Sequence, residues 1–200
     1  MKYSMSFTTG TLFHQESVKL AGLFLEFQNW NLVRSAVLSK NLLQSRTVNT
    51  SKRVCREVCS RLRTLSAAQL DLLVHGSTQD QGYLLWLAVC RRYKFIADFA
   101  VEIVREKYIS LQFALNYDDF DFFFNKKSEW HGELDQIKPA TRTKTRQILF
   151  KMLREADLLT PNNIINAALL SPQLLSVISQ DNRQDILIFP AFESDLKEWA

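Results

Sequence analysis

Thr78-Gln79-Asp80-Gln81-Gly82-Tyr83-Leu84-Leu85-Trp86-Leu87-Ala88-Val89-Cys90-Arg91-Arg92 is the stretch on which the reading of this chain turns. Thr78 with Gln81 three residues on has the form of a capping box, in which two side chains satisfy orphan amides at a helix start. The run 83–90 behind it is wholly apolar, and a helix apolar around most of its circumference belongs at the centre of a globule. Its eight residues fall far short of the ~20 that span a bilayer as a helix. Arg91 and Arg92 therefore read as the basic end of a buried helix. Apolar spacing continues through Phe99 to Val104, with a break or bend expected near Arg92.

Outward from this centre the dominant pattern is apolar residues at i, i+3, i+4 and i+7, the helical period. Towards the N-terminus it predicts a helix over 10–27, a second after an Asn29 cap, a third after Thr50 over 51–62, and a fourth opened by Ser66 and stopped by Gly76. Towards the C-terminus, Asp118, Asp119 and Asp121 suit the first turn of a helix that starts near Tyr117, where acids complement the macrodipole. A short helix over 131–137 ends at Pro139. Thr141 caps a longer one over 142–156, Leu158 to Ile165 suggests two short strands about a Pro-Asn turn, and Ser171-Pro172 opens a last helix. The expected fold is all-α, a multi-helix globule with an N-terminal helical domain over 1–112 and a C-terminal one over 113–200. A helix-turn-helix element and a small two-strand wing after residue 157 are expected in the second.

Composition agrees. Five glycines and four prolines in 200 residues are far below the usual ~12%, which argues against disordered, collagen-like or turn-dense β chains. The opening MKYSMSFTTGTLF has no charged stretch followed by an apolar core, so a cytoplasmic chain without a membrane partner is expected. Cys55 and Cys59 sit i, i+4 on an apolar helix face, and with Cys90 they are read as small core hydrophobes.

Catalytic signals are missing. His14, His75 and His131 are scattered, with no metal-ligand spacing, phosphate loop or nucleophile elbow around them. The acids Asp118, Asp119, Asp121, Glu129, Glu133 and Asp135 could in principle hold Mg²⁺, but helix-start duty and a polar surface account for them. A non-enzyme with no cofactor and no metal is expected.

The informative signal is where the cations fall. Segment 40–63 carries seven, Lys40, Arg46, Lys52, Arg53, Arg56, Arg61 and Arg63, against Glu57 alone. Segment 138–154 carries six, Lys138, Arg142, Lys144, Arg146, Lys151 and Arg154, with no acid. Each segment is +6, so a chain whose total is +4 holds −8 elsewhere. On the first helix Val54, Cys55, Val58, Cys59 and Leu62 share one face, and Lys52, Arg53, Arg56 and Arg63 lie opposite. On the second, Thr145, Ile148, Leu149, Met152 and Leu153 face inward while Thr143, Lys144, Arg146, Gln147, Lys151 and Arg154 point out. Cations near both helix starts oppose the dipole at a cost of roughly 0.3–1 kcal/mol each, which phosphate oxygens would reverse. If 142–156 is a recognition helix, Arg146 and Gln147 suit guanine or adenine edges, and Lys144, Lys151 and Arg154 suit phosphates.

Long blocks of the chain, among them Tyr3-Ser4-Met5-Ser6-Phe7-Thr8-Thr9-Gly10, Lys52-Arg53-Val54-Cys55-Arg56-Glu57-Val58, the central 81–93 run, Tyr117-Asp118-Asp119-Phe120-Asp121-Phe122-Phe123, Glu129-Trp130-His131 and Lys151-Met152-Leu153-Arg154-Glu155-Ala156, resemble the BrxA proteins of bacteriophage exclusion (BREX) systems. The resemblance extends to about Pro190. It implies a small all-helical cytoplasmic protein with a NusB-like fold, no catalytic centre and DNA binding through helix-turn-helix elements. Its gene would lie beside those of a methyltransferase, an ATPase and a phosphatase-like protein that together restrict phage. The expectation is a monomeric, double-stranded-DNA-binding accessory protein, with other BREX proteins as further partners and Arg46 joining the first basic face. An RNA-binding antitermination-like module and a protein-interaction subunit using the aromatics and acids of 117–135 are the alternatives.

Overall fold

The fold is built around Trp86. In the computed structural model, which describes residues 2–8 and 10–192, every residue from 82 to 90 is buried. Thr9 of the opening block and the stretch 193–200 lie outside the described residues. In chain order the helices are α1 (His14–Phe27), α2 (Trp30–Ser39), α3 (Val48–Leu62), α4 (Ala67–His75), α5 (Thr78–Arg92), α6 (Lys94–Phe99) and, after a π-helical turn (Ala100–Arg105), α7 (Glu106–Ile109). Then come α8 (Tyr117–Ser128), α9 (Gly132–Asp135), α10 (Pro139–Glu155), α11 (Pro172–Asn182) and a 3₁₀ turn (Arg183–Ile188). The central helix α5 touches α1, α3, α4, α6, α10 and the 3₁₀ turn, so it is covered from both halves of the sequence. The indole of Trp86 donates to the Ile188 carbonyl at 3.3 Å. One hydrophobic cluster runs from Tyr3 to Phe189 across the 112/113 boundary.

Several helix starts differ from the sequence expectation, each for a local reason. Gly10 has φ +95° and turns the entering chain, so α1 begins at His14 rather than at residue 10. The cap of α3 is Thr47, whose hydroxyl accepts from the Thr50 amide at 3.1 Å, which moves Thr50 inside the first turn. Ser77 caps α5 and accepts from the Asp80 amide at 3.1 Å. Gln81 is thereby released to bond His14 at 2.8 Å, joining α1 to α5. Pro139 opens α10 instead of ending the helix before it, since at the first position its fixed φ suits a helix and its missing N–H is not needed. Thr141 is then the third helical residue, and α9 shrinks to one turn. Asn29 and Ser66 cap α2 and α4 as their sequence context indicates. Gly76 ends α4 in extended backbone, and a Cβ there would lie 2.5 Å from the Leu72 carbonyl oxygen, so close approach explains the glycine.

The expected two-strand wing after residue 157 is a turn with isolated antiparallel bridges, Leu159 to Ile165 and Ala114 to Ile164, and no strand forms among the described residues. The fold is all-α. Aromatic packing closes its far end, where Phe95 meets Phe120, Phe123 and Phe124 edge-on at 5.2–6.0 Å.

The N-terminal segment is clamped. The Tyr3 amide donates to Glu133 at 2.6 Å, its hydroxyl donates to Asp98 at 2.7 Å, and its ring stacks on His131 at 3.9 Å. The Tyr3 amide, with the glutamate's own backbone N–H and His131 beside it, lowers the Glu133 carboxyl to about 2.

Two outcomes follow. Trp86→Ala should cost about 3–5 kcal/mol, read as a lower denaturant midpoint. Because the folded pKa of Glu133 is depressed, its contribution is present above the unfolded value of about 4.3 and is lost as pH falls towards about 2. The difference in melting temperature between the wild type and Glu133→Gln should therefore shrink below about pH 4.3; a constant difference from pH 7 to 2 contradicts the clamp.

Candidate nucleic-acid interface

Helix α3 buries Val54, Cys55, Val58, Cys59 and Leu62 and exposes Lys52, Arg53, Arg56 and Arg63. One cation of the first patch turns inward. Arg61, 3% exposed, gives Nε to Glu57 at 2.8 Å and Nη1 to the Thr11 carbonyl at 2.6 Å. Its guanidinium lies 5.5 Å from the Phe13 ring and 6.0 Å from that of Tyr93. The Tyr93 hydroxyl donates to the same Glu57 oxygen at 2.6 Å. Burial, reinforced by that hydrogen bond, pushes the phenol up to about 12, so it remains a protonated donor. The only acid of segment 40–63 is thus spent on Arg61 and Tyr93, and the outer arginines keep their charge uncompensated.

Two adjoining depressions lie along this face. One of about 250 Å³ is lined by Ser6, Arg53, Arg56, Glu57, Ser60 and Arg92. The other, about 100 Å³, is lined by Arg34, Arg56, Cys59, Ser60 and Arg63. They share Arg56 and Ser60 and so form one groove with five arginines in its walls. None of the five has an ion-pair partner among the described residues. Arg63 sits 5.9 Å from the Trp30 ring and Arg92 5.1 Å from the Tyr93 ring, both aromatic contacts that leave the charge in place. Sequence reasoning missed Arg34 and Arg92. Arg34 comes from α2 and Arg92 from the end of α5, and only tertiary packing brings them beside α3. Arg46 and Lys52 are exposed but line neither depression.

The second patch is more compromised. Arg142 donates to the Asp121 carboxylate and carbonyl at 2.9 and 3.0 Å and to Asn125 at 2.8 Å, with its guanidinium 4.4 Å from the Phe124 ring. Arg146 pairs with the same Asp121 carboxylate and lies 4.6 Å from the Tyr117 ring. Arg154 donates to Asn163 at 2.6 Å. Arg146 and Arg154 are thus half-buried and engaged rather than pointing out freely, which corrects the helical-wheel expectation. Thr143, Lys144, Gln147 and Lys151 are exposed; Lys151 approaches Glu155 only at 3.8 Å.

The dipole argument also changes. With α3 starting at Val48 and α10 at Pro139, Lys52, Arg53, Arg142 and Lys144 stand beyond the first turn, where the macrodipole penalty fades. No group of three or more metal-ligating side chains occurs among the described residues. Cys55, Cys59 and Cys90 are buried and unbridged, and burial holds the Cys90 thiol well above its ordinary range. No described helix is long and apolar enough to cross a membrane.

Asp121→Ala releases Arg142 and Arg146. It should lower stability by about 1–3 kcal/mol and raise the salt needed to elute the protein from a heparin column. Unchanged elution means the two guanidinium groups stay occupied.

A family model described as BrxA matches residues 1–182. The chain is 26% identical to the BREX protein BrxA of Escherichia coli O9:H4 (strain HS), covering 89% of this chain and 84% of that protein. It is 24% identical to the BREX protein BrxA of Bacillus cereus (strain H3081.97), over 72% and 70% of the two chains. It is 22% identical to that of Paramagnetospirillum magneticum (strain ATCC 700264 / AMB-1), over 93% and 94%. A crystal structure of an uncharacterized protein from Magnetospirillum magneticum superposes with a TM-score of 0.79 at 20% identity, covering 96% of this chain and 99% of that one, and so shares its fold. With the family model spanning all but the last 18 residues, this chain belongs to the BrxA family.

Proposed function

We propose that this protein is a non-catalytic, double-stranded-DNA-binding accessory protein of a BREX phage-defence system, monomeric and cytoplasmic. The observation that carries the reading is the α3 groove. Five arginines line two adjoining depressions that share Arg56 and Ser60, and the single acid there, Glu57, is already paired with the inward Arg61. Such a surface attracts a polyanion, and phosphate contacts from arginine are the main sequence-independent source of DNA affinity. Family membership supports the BREX setting. Helix α10 adds a second face. In a helix-turn-helix role, Gln147 would meet a base edge, Thr143, Lys144 and Lys151 the backbone, and Arg146 and Arg154 would contribute after leaving Asp121 and Asn163.

A second reading rests on two side chains. Trp130 is 83% and Phe122 67% exposed, whereas Phe120, Phe123 and Phe124 are core. Exposed aromatics of this size suit a protein partner, here another BREX component.

The test is a salt-titrated binding assay with duplex DNA, single-stranded DNA and RNA in parallel. Duplex DNA should bind most tightly, with a log–log salt slope of about −0.9 for each phosphate neutralised. Preference for single-stranded RNA overturns the DNA reading. Loss of co-purification with other BREX proteins on changing Trp130 and Phe122 to Ala, with DNA binding intact, supports the second reading as an added role.

A further inference from the structure

We infer that the α3 groove is a two-phosphate clamp, completed by Arg34 and Arg92, that grips the nucleic-acid backbone without reading its sequence. This inference rests on the nucleic-acid reading and adds which residues close the site and what they recognise.

Size is the first argument. Small-molecule sites run about 300–1,000 Å³, whereas these depressions are about 250 and 100 Å³, each lined by three arginines and Ser60, with Ser6 and Glu57 in the first and Cys59 in the second. At about 30 Å³ per water the larger holds about eight waters and the smaller about three, room for a phosphate group in each. Arrangement is the second. Arg56 stands between the depressions, with Arg53 and Arg92 on one side and Arg34 and Arg63 on the other. Each depression therefore offers three guanidinium groups, and arginine's planar fork matches phosphate oxygens in pairs.

Donor inventory is the third. Ser60 spends its hydroxyl hydrogen on the Glu57 carbonyl at 2.9 Å, and Glu57 accepts from Arg61 and Tyr93. Beside the Ser6 hydroxyl and the second Glu57 oxygen, what remains for an incoming group is mainly the arginine donors, which suits phosphate oxygens. The asparagine or glutamine that pairs with adenine is absent from the linings; arginine can also meet guanine, so a preference for the G·C-rich duplex is the outcome that would show base reading. Spacing is the fourth. Arg53, Arg56 and Arg63 occupy one face of α3, and at about 1.5 Å per residue Arg56 and Arg63 stand about 10 Å apart along the axis, a separation that backbone phosphates span readily.

The test measures binding of the full chain to two duplexes of equal length, one A·T-rich and one G·C-rich, across a salt series. Arg34→Ala/Arg92→Ala is compared with Lys126→Ala/Arg183→Ala, which removes the same charge from exposed positions outside both basic faces. The groove variant, which leaves two guanidinium groups in each depression, should weaken both duplexes by the same factor and flatten the slope by up to about 1.8, the figure for losing both phosphates at 0.9 each. The control should change neither. All four side chains are exposed and without ion pairs among the described residues, so melting temperatures should stay at the wild-type value. Arg34→Lys/Arg92→Lys keeps the charge and should keep the slope. If the wild type binds neither duplex, the DNA reading falls and the clamp with it. If the wild type binds but the groove variant matches it, or matches the control, the clamp is overturned and the DNA reading stands. A changed preference between the two duplexes overturns sequence independence.

Discussion

A helix buried on every side has no face to offer water, so its neighbours must supply all the polar surface. That is the situation of α5, where every residue from 82 to 90 is buried. Elements from both halves of the sequence close around Trp86, and each must turn an apolar stripe inward. For α3 and α10 this leaves the polar stripe outside, and in both helices that stripe is basic. The demand of one helix for complete burial thus fixes which way the cations of two others point, and ordinary hydrophobic burial, at about 25 cal/mol per Å² of apolar surface, enforces it.

The two basic segments carry equal formal charge but present unequal surfaces, and two acids account for the difference. Glu57, on α3 itself, is taken up by the inward Arg61 and by Tyr93, a phenol that burial keeps protonated. It therefore takes no charge from the outer face. Asp121, on α8, sits where Arg142 and Arg146 can both reach it, and it withdraws two cations from the face of α10. The same residue type binds arginine in both places. In the first the arginine was already lost to the interior, and in the second it would otherwise have faced solvent. The groove on α3 consequently keeps more of its cations unpaired than the face of α10 does.

The architecture was legible in the sequence because it depends on periodicity. Tyr83 to Cys90 announced a central helix, Asn29 and Ser66 announced caps, and the inward faces of α3 and α10 follow from spacing. Starts were less legible where two residues of like chemistry compete. Thr47 and Thr50 are both good caps, and Ser77 directly precedes the Thr78 that was expected in that role. Pro139 read as a stop is a start, because a proline at the first helical position and one after a helix look alike locally. The candidate site was half visible. Arg53, Arg56 and Arg63 are consecutive on one helix face, but Arg34 and Arg92 join them only through packing of α2 and the α5 terminus. The capture of Arg146 was hidden for the same reason, since Asp121 lies 25 residues away and on another helix. The exposure of Phe122 and Trp130 among buried phenylalanines likewise follows from how α8 packs, which periodicity alone did not resolve.

The central claim is that the arginines of the α3 groove, more than those of α10, meet DNA. The most direct measurement is arginine-selective chemical modification of the intact protein, quantified residue by residue with mass spectrometry, with and without saturating duplex DNA. The account predicts that Arg34, Arg53, Arg56, Arg63 and Arg92 react readily alone and are protected by DNA, while Arg142 and Arg146 react slowly in both states. Equal reactivity of the five groove arginines with and without DNA, under conditions where the duplex is bound, would contradict it.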